Sequence, residues 1–201
     1  MLRPETAWEY ETGIIQNFKP LTLRGTFYFY DIKDFMNDSG IMAPGTGLAS
    51  DCLYNIPSVK MYGVELEAAL DFRNRFRGMV SYNYMNFDAT ESSFQQEWSY
   101  YLPLICPKHK VKLMGRVRTW EDGWLQANVR FLSARSVQKK EEGRLGAFAT
   151  LDLGFEQKFR FWQQELTLNV FANNLTGTRY QEIQGYHMPR QTYGFTIGTK
   201  F

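Results

Sequence analysis

Thr192-Tyr193-Gly194-Phe195-Thr196-Ile197-Gly198-Thr199-Lys200-Phe201 is the stretch that decides the fold. Tyr193, Phe195, Ile197, Thr199 and Phe201 share one face; Thr192, Gly194, Thr196, Gly198 and Lys200 share the other. Successive side chains of a strand point to opposite faces, so this period of two reads as a long strand with one apolar side. The pattern recurs upstream. Leu166, Leu168, Val170 and Ala172 oppose Thr167, Asn169, Phe171 and Asn173, and Leu151, Leu153 and Phe155 oppose Asp152, Gly154 and Glu156. Leu125, Ala127, Val129 and Phe131 oppose Gln126, Asn128 and Arg130. Val111, Leu113 and Val117 oppose Lys110, Lys112, Arg116 and Arg118. Nearer the start, Val80, Tyr82 and Tyr84 alternate with Met79, Ser81 and Asn83. Tyr62, Val64, Leu66, Ala68 and Leu70 alternate with Gly63, Glu65, Glu67 and Asp71. Leu21, Leu23, Phe27 and Phe29 alternate with Thr22, Arg24, Thr26 and Tyr28, and Trp8, Tyr10 and Ile14 with Glu9, Glu11 and Gly13. The sequence therefore predicts an all-β chain of nine long strands.

Two architectures fit such a chain, a soluble sandwich with an aromatic core and a transmembrane barrel. Most segments have room for about ten residues, where soluble strands run to ~5–6 and tilted membrane strands need ~9–11. Short connections near 18–20, 73–75, 121–123 and 160–164 alternate with long ones at about 36–57, 89–107, 136–146 and 176–189. A hairpin meander with short turns at one end and long loops at the other is the pattern of an outer-membrane barrel. The second face points the same way. It carries Glu9, Glu11, Arg24, Glu65, Glu67, Asp71, Lys112, Arg116, Arg118, Arg130, Asp152, Glu156 and Lys200. Charges of both signs at that density would be prohibitive in a dry core, but suit a wall facing water.

Composition agrees. Hydrophobic residues make up 44% and aromatic residues 16%, with a mean hydropathy of −0.41. No apolar run reaches the ~18–20 residues of a membrane helix. A net charge of +2 argues against a nucleic-acid partner. Cys52 and Cys106 lack the spacing of a zinc site. Both fall in long loops, and an oxidising compartment makes a disulfide between them an expectation. The opening Met1-Leu2-Arg3-Pro4-Glu5 lacks the apolar core of a secretory signal, so a barrel of this kind is expected to be a fragment with its signal upstream.

Several stretches resemble the TonB-dependent outer-membrane receptors. Arg3-Pro4-Glu5-Thr6-Ala7-Trp8-Glu9-Tyr10-Glu11-Thr12-Gly13 resembles the family's "KPE-x-x-x-x-YE-x-G" strand opening, with Arg3 in place of lysine. Tyr54-Asn55 followed by Tyr62-Gly63-Val64-Glu65-Leu66-Glu67 resembles its "N…G-x-E-x-E" strand. Asn174-Leu175-Thr176-Gly177-Thr178-Arg179-Tyr180 resembles its "NL-x-x-x-x-Y" element. Gly185-Tyr186-His187-Met188-Pro189-Arg190 then leads into a last strand ending in Phe201, as in family barrels.

The resemblance implies an antiparallel transmembrane barrel of 22 strands in the outer membrane, of which residues 1–201 supply about the last nine. It implies a separate plug domain, absent here together with the segment that contacts TonB. The implied function is barrel wall and extracellular ligand loops in a receptor importing an iron-siderophore, cobalamin or a similar chelated nutrient. The implied partners are outer-membrane lipid, the TonB complex through the plug, that nutrient, and the barrel-assembly machinery, whose signature Tyr193, Phe195 and Phe201 resemble. Candidate ligand contacts in the loops are Tyr54, His187, Met188 and Arg190.

Blander readings stand beside these. His187 also fits an ordinary exposed loop histidine, and His109 fits a membrane interface. Lys108, Lys110, Lys112, Arg116 and Arg118 could line the path of an anionic substrate. The expectation is wall charge balanced by Glu65, Glu67 and Asp71 or by the plug. No catalytic residue and no cofactor is expected, since Ser81, Ser99 and Ser133 lack a G-x-S-x-G frame. The alternatives left open are a small outer-membrane pore or enzyme barrel, and a soluble β protein binding an apolar ligand.

Overall fold

The computed structural model describes residues 2–38, 53–89, 106–136, 144–161 and 164–200. Its strands are β1 (Thr6–Phe18), β2 (Leu21–Asp38), β3 (Leu53–Phe72), β4 (Phe76–Ala89), β5 (His109–Trp120), β6 (Gly123–Leu132), β7 (Arg135–Ser136), β8 (Arg144–Leu145), β9 (Phe148–Phe161), β10 (Gln164–Asn173), β11 (Gln181–Ile183), β12 (Tyr186–His187) and β13 (Thr192–Lys200). Nine of them form one antiparallel sheet in the order β1-β2-β3-β4-β5-β6-β9-β10-β13, while β7–β8 and β11–β12 are small ladders of their own. Each long strand pairs with its sequence neighbour, as hairpin connections dictate. Among the described residues β1 and β13 have one neighbour each, leaving two sheet edges.

The register carries the predicted faces across the sheet. Glu11 pairs with Tyr28 and Tyr28 with Gly63. Farther on, Lys112 pairs with Ser81 and Arg130, and Asn128 with Asp152, so polar positions stay in line. The opposite face is an exposed apolar belt that includes Phe27, Leu66, Val80, Leu113, Leu125, Val170, Phe195 and Ile197. Phe195 and Ile197 are 68% and 67% exposed. An apolar surface of this extent marks contact with lipid or another protein. The outward apolar stretches cover 21–29 on β2, 62–72 on β3, 76–84 on β4 and 109–117 on β5. Each matches the ~9–11 residues a tilted strand needs to cross hydrocarbon.

Aromatic rings mark both limits of the belt, as membrane girdles do. At the loop end the Tyr62 hydroxyl accepts a hydrogen bond from Asn86 Nδ2 at 2.7 Å. His109 lies between Tyr82 and Tyr84, its Nδ1 2.9 Å from the Tyr82 hydroxyl. At the turn end Trp120 packs on Phe155, with ring centroids 5.4 Å apart. The turns after β3 and β5 need the left-handed region, supplied by Arg73, Asn74 and Asp122 at φ of 48°, 53° and 61°; Asn and Asp tolerate it best.

One expected boundary is corrected. Residues 36–57 read as a loop, but the β2–β3 ladder continues through Phe35–Ile56, Met36–Asn55, Asn37–Tyr54 and Asp38–Leu53. Beyond lipid both faces of a hairpin meet water, so the alternation that reveals a strand disappears while the ladder persists. Past the belt the hairpin runs on for about 30 Å. Two of the most buried side chains, Ile56 and Val59, at 1% exposure each, lie there.

Candidate ligand-facing wall

The polar face is held by ion pairs that bridge strands. Arg24 meets Glu67 at 3.1 Å, Arg77 meets Asp71 at 3.1 Å, Arg116 meets Glu156 at 3.0 Å and Lys158 meets Glu165 at 2.7 Å. Glu65 accepts from Asn83 Nδ2 at 2.8 Å. Of the acids expected to balance the basic run, Glu65, Glu67 and Asp71, the first two line a cleft together with Lys110 and Lys112. Those acids serve Asn83, Arg24 and Arg77, and Arg116 turns to Glu156 across β6. Among the described residues Lys110, Lys112 and Arg118 make no ion pair.

Most motif residues prove to be staples. Asn174, 4% exposed and left-handed at φ 48°, donates from Nδ2 to the carbonyls of Thr178 and Pro189 at 2.9 and 3.2 Å. Its Oδ1 accepts from the Thr178 amide at 3.0 Å, and its own amide donates to Asp152 at 2.7 Å. The next amide, of Leu175, donates to the Leu151 carbonyl at 2.7 Å. One buried amide thus satisfies the backbone of the turn that starts the 174–191 segment. Tyr180 stacks on Phe148 at 4.2 Å, and its hydroxyl accepts from Arg130 Nη2 at 3.1 Å.

Gly63 is required for space. A Cβ there would collide with the Tyr84 carbonyl and the Tyr28 ring that lies across it. Gly13 is tight for the same reason, its Cβ position 3.0 Å from the Gly25 carbonyl. Following Pro4, Glu5 accepts from the Met36 amide at 3.0 Å. Asn55 accepts from the Arg3 amide at 2.7 Å and donates to the carbonyls of Arg3 and Asp34 at 2.9 and 2.6 Å. Tyr10 faces outward beside Phe29 at 6.3 Å, and Glu11 is exposed on the edge strand.

The candidate ligand contacts separate. Arg190 and Tyr180 join Lys112, Arg130 and Asp152 around a cleft of about 420 Å³. His187 lies on β12, exposed, with Nε2 2.8 Å from Gln181 Nε2. Met188 is half-buried and tied through its amide to the Tyr180 carbonyl at 3.1 Å. The Tyr54 side chain lies outside the described residues, as do Cys52 and Phe201. The expected Cys52–Cys106 disulfide falls there too. Burial pushes the half-buried Cys106 thiol above its usual range, with Lys110 and Arg135 acting the other way.

One part of the wall had no local signal. Arg130 reaches Glu182 at 2.7 Å, Arg135 donates from Nη2 to the Glu182 carbonyl at 2.6 Å, and both arginines approach β11 from the wall side. Burial lowers the Arg135 pKa, opposed by the Glu182 carboxylate. Among the described residues no cluster of His, Cys, Asp or Glu could hold a metal ion.

The TonB dependent receptor-like β-barrel family model matches residues 1–175. No curated protein sequence matches the chain. Among solved structures, the copper transporter OprC superimposes with a TM-score of 0.75 at 16% identity, covering 99% of this chain and 32% of that one. The siderophore receptor PirA from Acinetobacter baumannii gives 0.73 at 16%, covering 98% and 32%. The ferric enterobactin receptor PfeA from Pseudomonas aeruginosa, crystallised with enterobactin, gives 0.68 at 19%, covering 97% and 31%. At these identities the likeness concerns the fold, and the chain spans about a third of each structure's length.

Proposed function

The chain belongs to the TonB-dependent receptor β-barrel family, and from that premise we propose that it is the C-terminal wall of an outer-membrane receptor importing a chelated nutrient. Residues 1–201 supply nine strands of a larger barrel, 22 strands by the family resemblance. Iron-siderophore complexes are the leading cargo class, in keeping with what PirA and PfeA are named for. The wall itself does no chemistry; it positions loops around a ligand and lines the route inward.

One observation carries this reading. A lipid-width apolar belt backs a charged face whose cations and acids pair across strands, and every long connection emerges at the same end. Arg190 and Tyr180, at the loop end of that face, are the proposed ligand contacts, with His187 and Met188 on the adjoining hairpin. The test is growth of a receptor-deletion strain on iron chelates as sole iron source, with the complete receptor restored. TonB-dependent growth on at least one chelate is the expected result. Growth unaffected by removal of TonB would sink the proposal.

A further inference from the structure

We propose that Arg73 and Arg75, on the turn between β3 and β4, bind the head group of an anionic phospholipid in the periplasmic leaflet. The inference rests on the receptor reading above, which puts the short turns in the periplasm. The starting point is an unfavourable backbone choice. Arg73 and Asn74 hold φ of 48° and 53°, and the Arg75 amide closes the turn on the Phe72 carbonyl at 2.9 Å. Such a turn favours Asn and Gly at its two left-handed positions. An arginine at the first of them is the costlier residue, so a contact of its side chain has to offset the strain.

That contact is on the lipid-facing side. The Arg73 guanidinium lies over the Phe72 ring, 5.2 Å from its centroid. Phe72 pairs in register with Phe76, and both are exposed at the turn end of the apolar belt. The Phe76 ring folds back over Gly78, where a Cβ would lie 2.9 Å from it. The two rings form a ledge at the depth where aromatic side chains meet lipid head groups. Both arginines are exposed, and among the described residues neither makes an ion pair. The acid nearest in the chain, Asp71, is taken by Arg77 at 3.1 Å. Lys19 stands on the turn to one side and Glu121 and Asp122 on the turn to the other, each about 10 Å away by two strand spacings. Within the turn itself two cations face no acid. Guanidinium groups grip phosphate oxygens in pairs, and basic residues at an anionic bilayer surface are attracted to it. A guanidinium laid against a lipid-facing ring favours a lipid over a soluble acidic partner.

The test places the complete receptor in phosphatidylcholine nanodiscs with a trace of phosphatidylglycerol that carries a photoreactive acyl chain. The same probe built on phosphatidylcholine is run in parallel, and crosslinks are mapped by peptide. Labelling of residues 70–80 should favour the phosphatidylglycerol probe about twentyfold, and Arg73→Gln and Arg75→Gln should each lower that preference about fivefold. The Arg73→Lys/Arg75→Lys double variant should keep most of it, since the charge remains. Arg118 is the control: its amide donates to the Arg75 carbonyl at 2.7 Å, while its side chain alternates to the polar face. Arg118→Gln should leave the preference unchanged. Equal labelling by the two probes, or a preference that survives the Arg73→Gln/Arg75→Gln double variant, overturns the site. Either result leaves the receptor reading intact, because the belt is still labelled. Loss of the preference on adding soluble oligoglutamate assigns the turn to an acidic protein and overturns the lipid assignment. No labelling of the belt by either probe overturns both readings.

Discussion

The belt and the loop end of the same sheet are held by different means. Within the belt, backbone groups pair across strands, side chains on one face are apolar, and the polar face closes with pairs such as Arg24–Glu67. Past the belt the alternation fades, and side-chain amides take over. Asn55 ties the start of the chain to the β2–β3 hairpin, and the Asn174 side chain ties Thr178 and Pro189 together within the 174–191 segment. Lipid has no hydrogen bonds to offer, so a spanning strand must satisfy its backbone through its ladder. In water irregular backbone is tolerated, and a few buried polar residues decide which shape it takes.

The contrast can be broken most sharply by removing the rest of the barrel. Residues 1–201 expressed alone should give no TonB-dependent rescue of growth, since nine strands leave two unpaired edges and do not enclose a lumen. Rescue by this chain alone would falsify that account. The same polypeptide should partition with membranes and resist alkaline extraction, because its belt needs lipid. Recovery as a soluble, monodisperse monomer without detergent would refute the belt.

Next in size is Asn174→Ala in the complete receptor. It strands buried backbone groups of the 174–191 turn and puts alanine at a positive φ, which should cost about 2–4 kcal/mol. A lowered midpoint of heat-induced barrel unfolding on gels would report it. Asn55→Ala, in a more exposed staple, should cost about 1 kcal/mol. Equal losses at the two sites would remove the distinction between buried and exposed staples.

Deleting Phe201 tests the resemblance of Tyr193, Phe195 and Phe201 to an assembly signature. The expectation is less heat-modifiable barrel in the membrane with unchanged synthesis, and unchanged barrel would count against it. The smallest effect concerns the reduced Cys106 thiol. A raised pKa leaves less thiolate at neutral pH, so its alkylation should be slower than that of an exposed thiol and should rise with pH only above the ordinary thiol range. Alkylation at the rate of an exposed thiol at pH 8 would show that burial does not govern this site.

The amino-acid sequence by itself determined the nine strands, their two faces and the end at which turns are short, because alternation and turn residues are local properties of the chain. It also marked Gly63, Asn174 and Tyr180 through the family resemblance, but not what they do. Only the tertiary structure decided that Gly63 makes room for Tyr28, that Asn174 is a backbone hub, and that β2 and β3 run on past the lipid. It alone assigned Arg116 to Glu156 and Arg130 to Glu182. Those partners stand 40 and 52 residues apart. Which charge meets which is set by strand register and by the fold of a distant segment, and no periodicity along the chain records either.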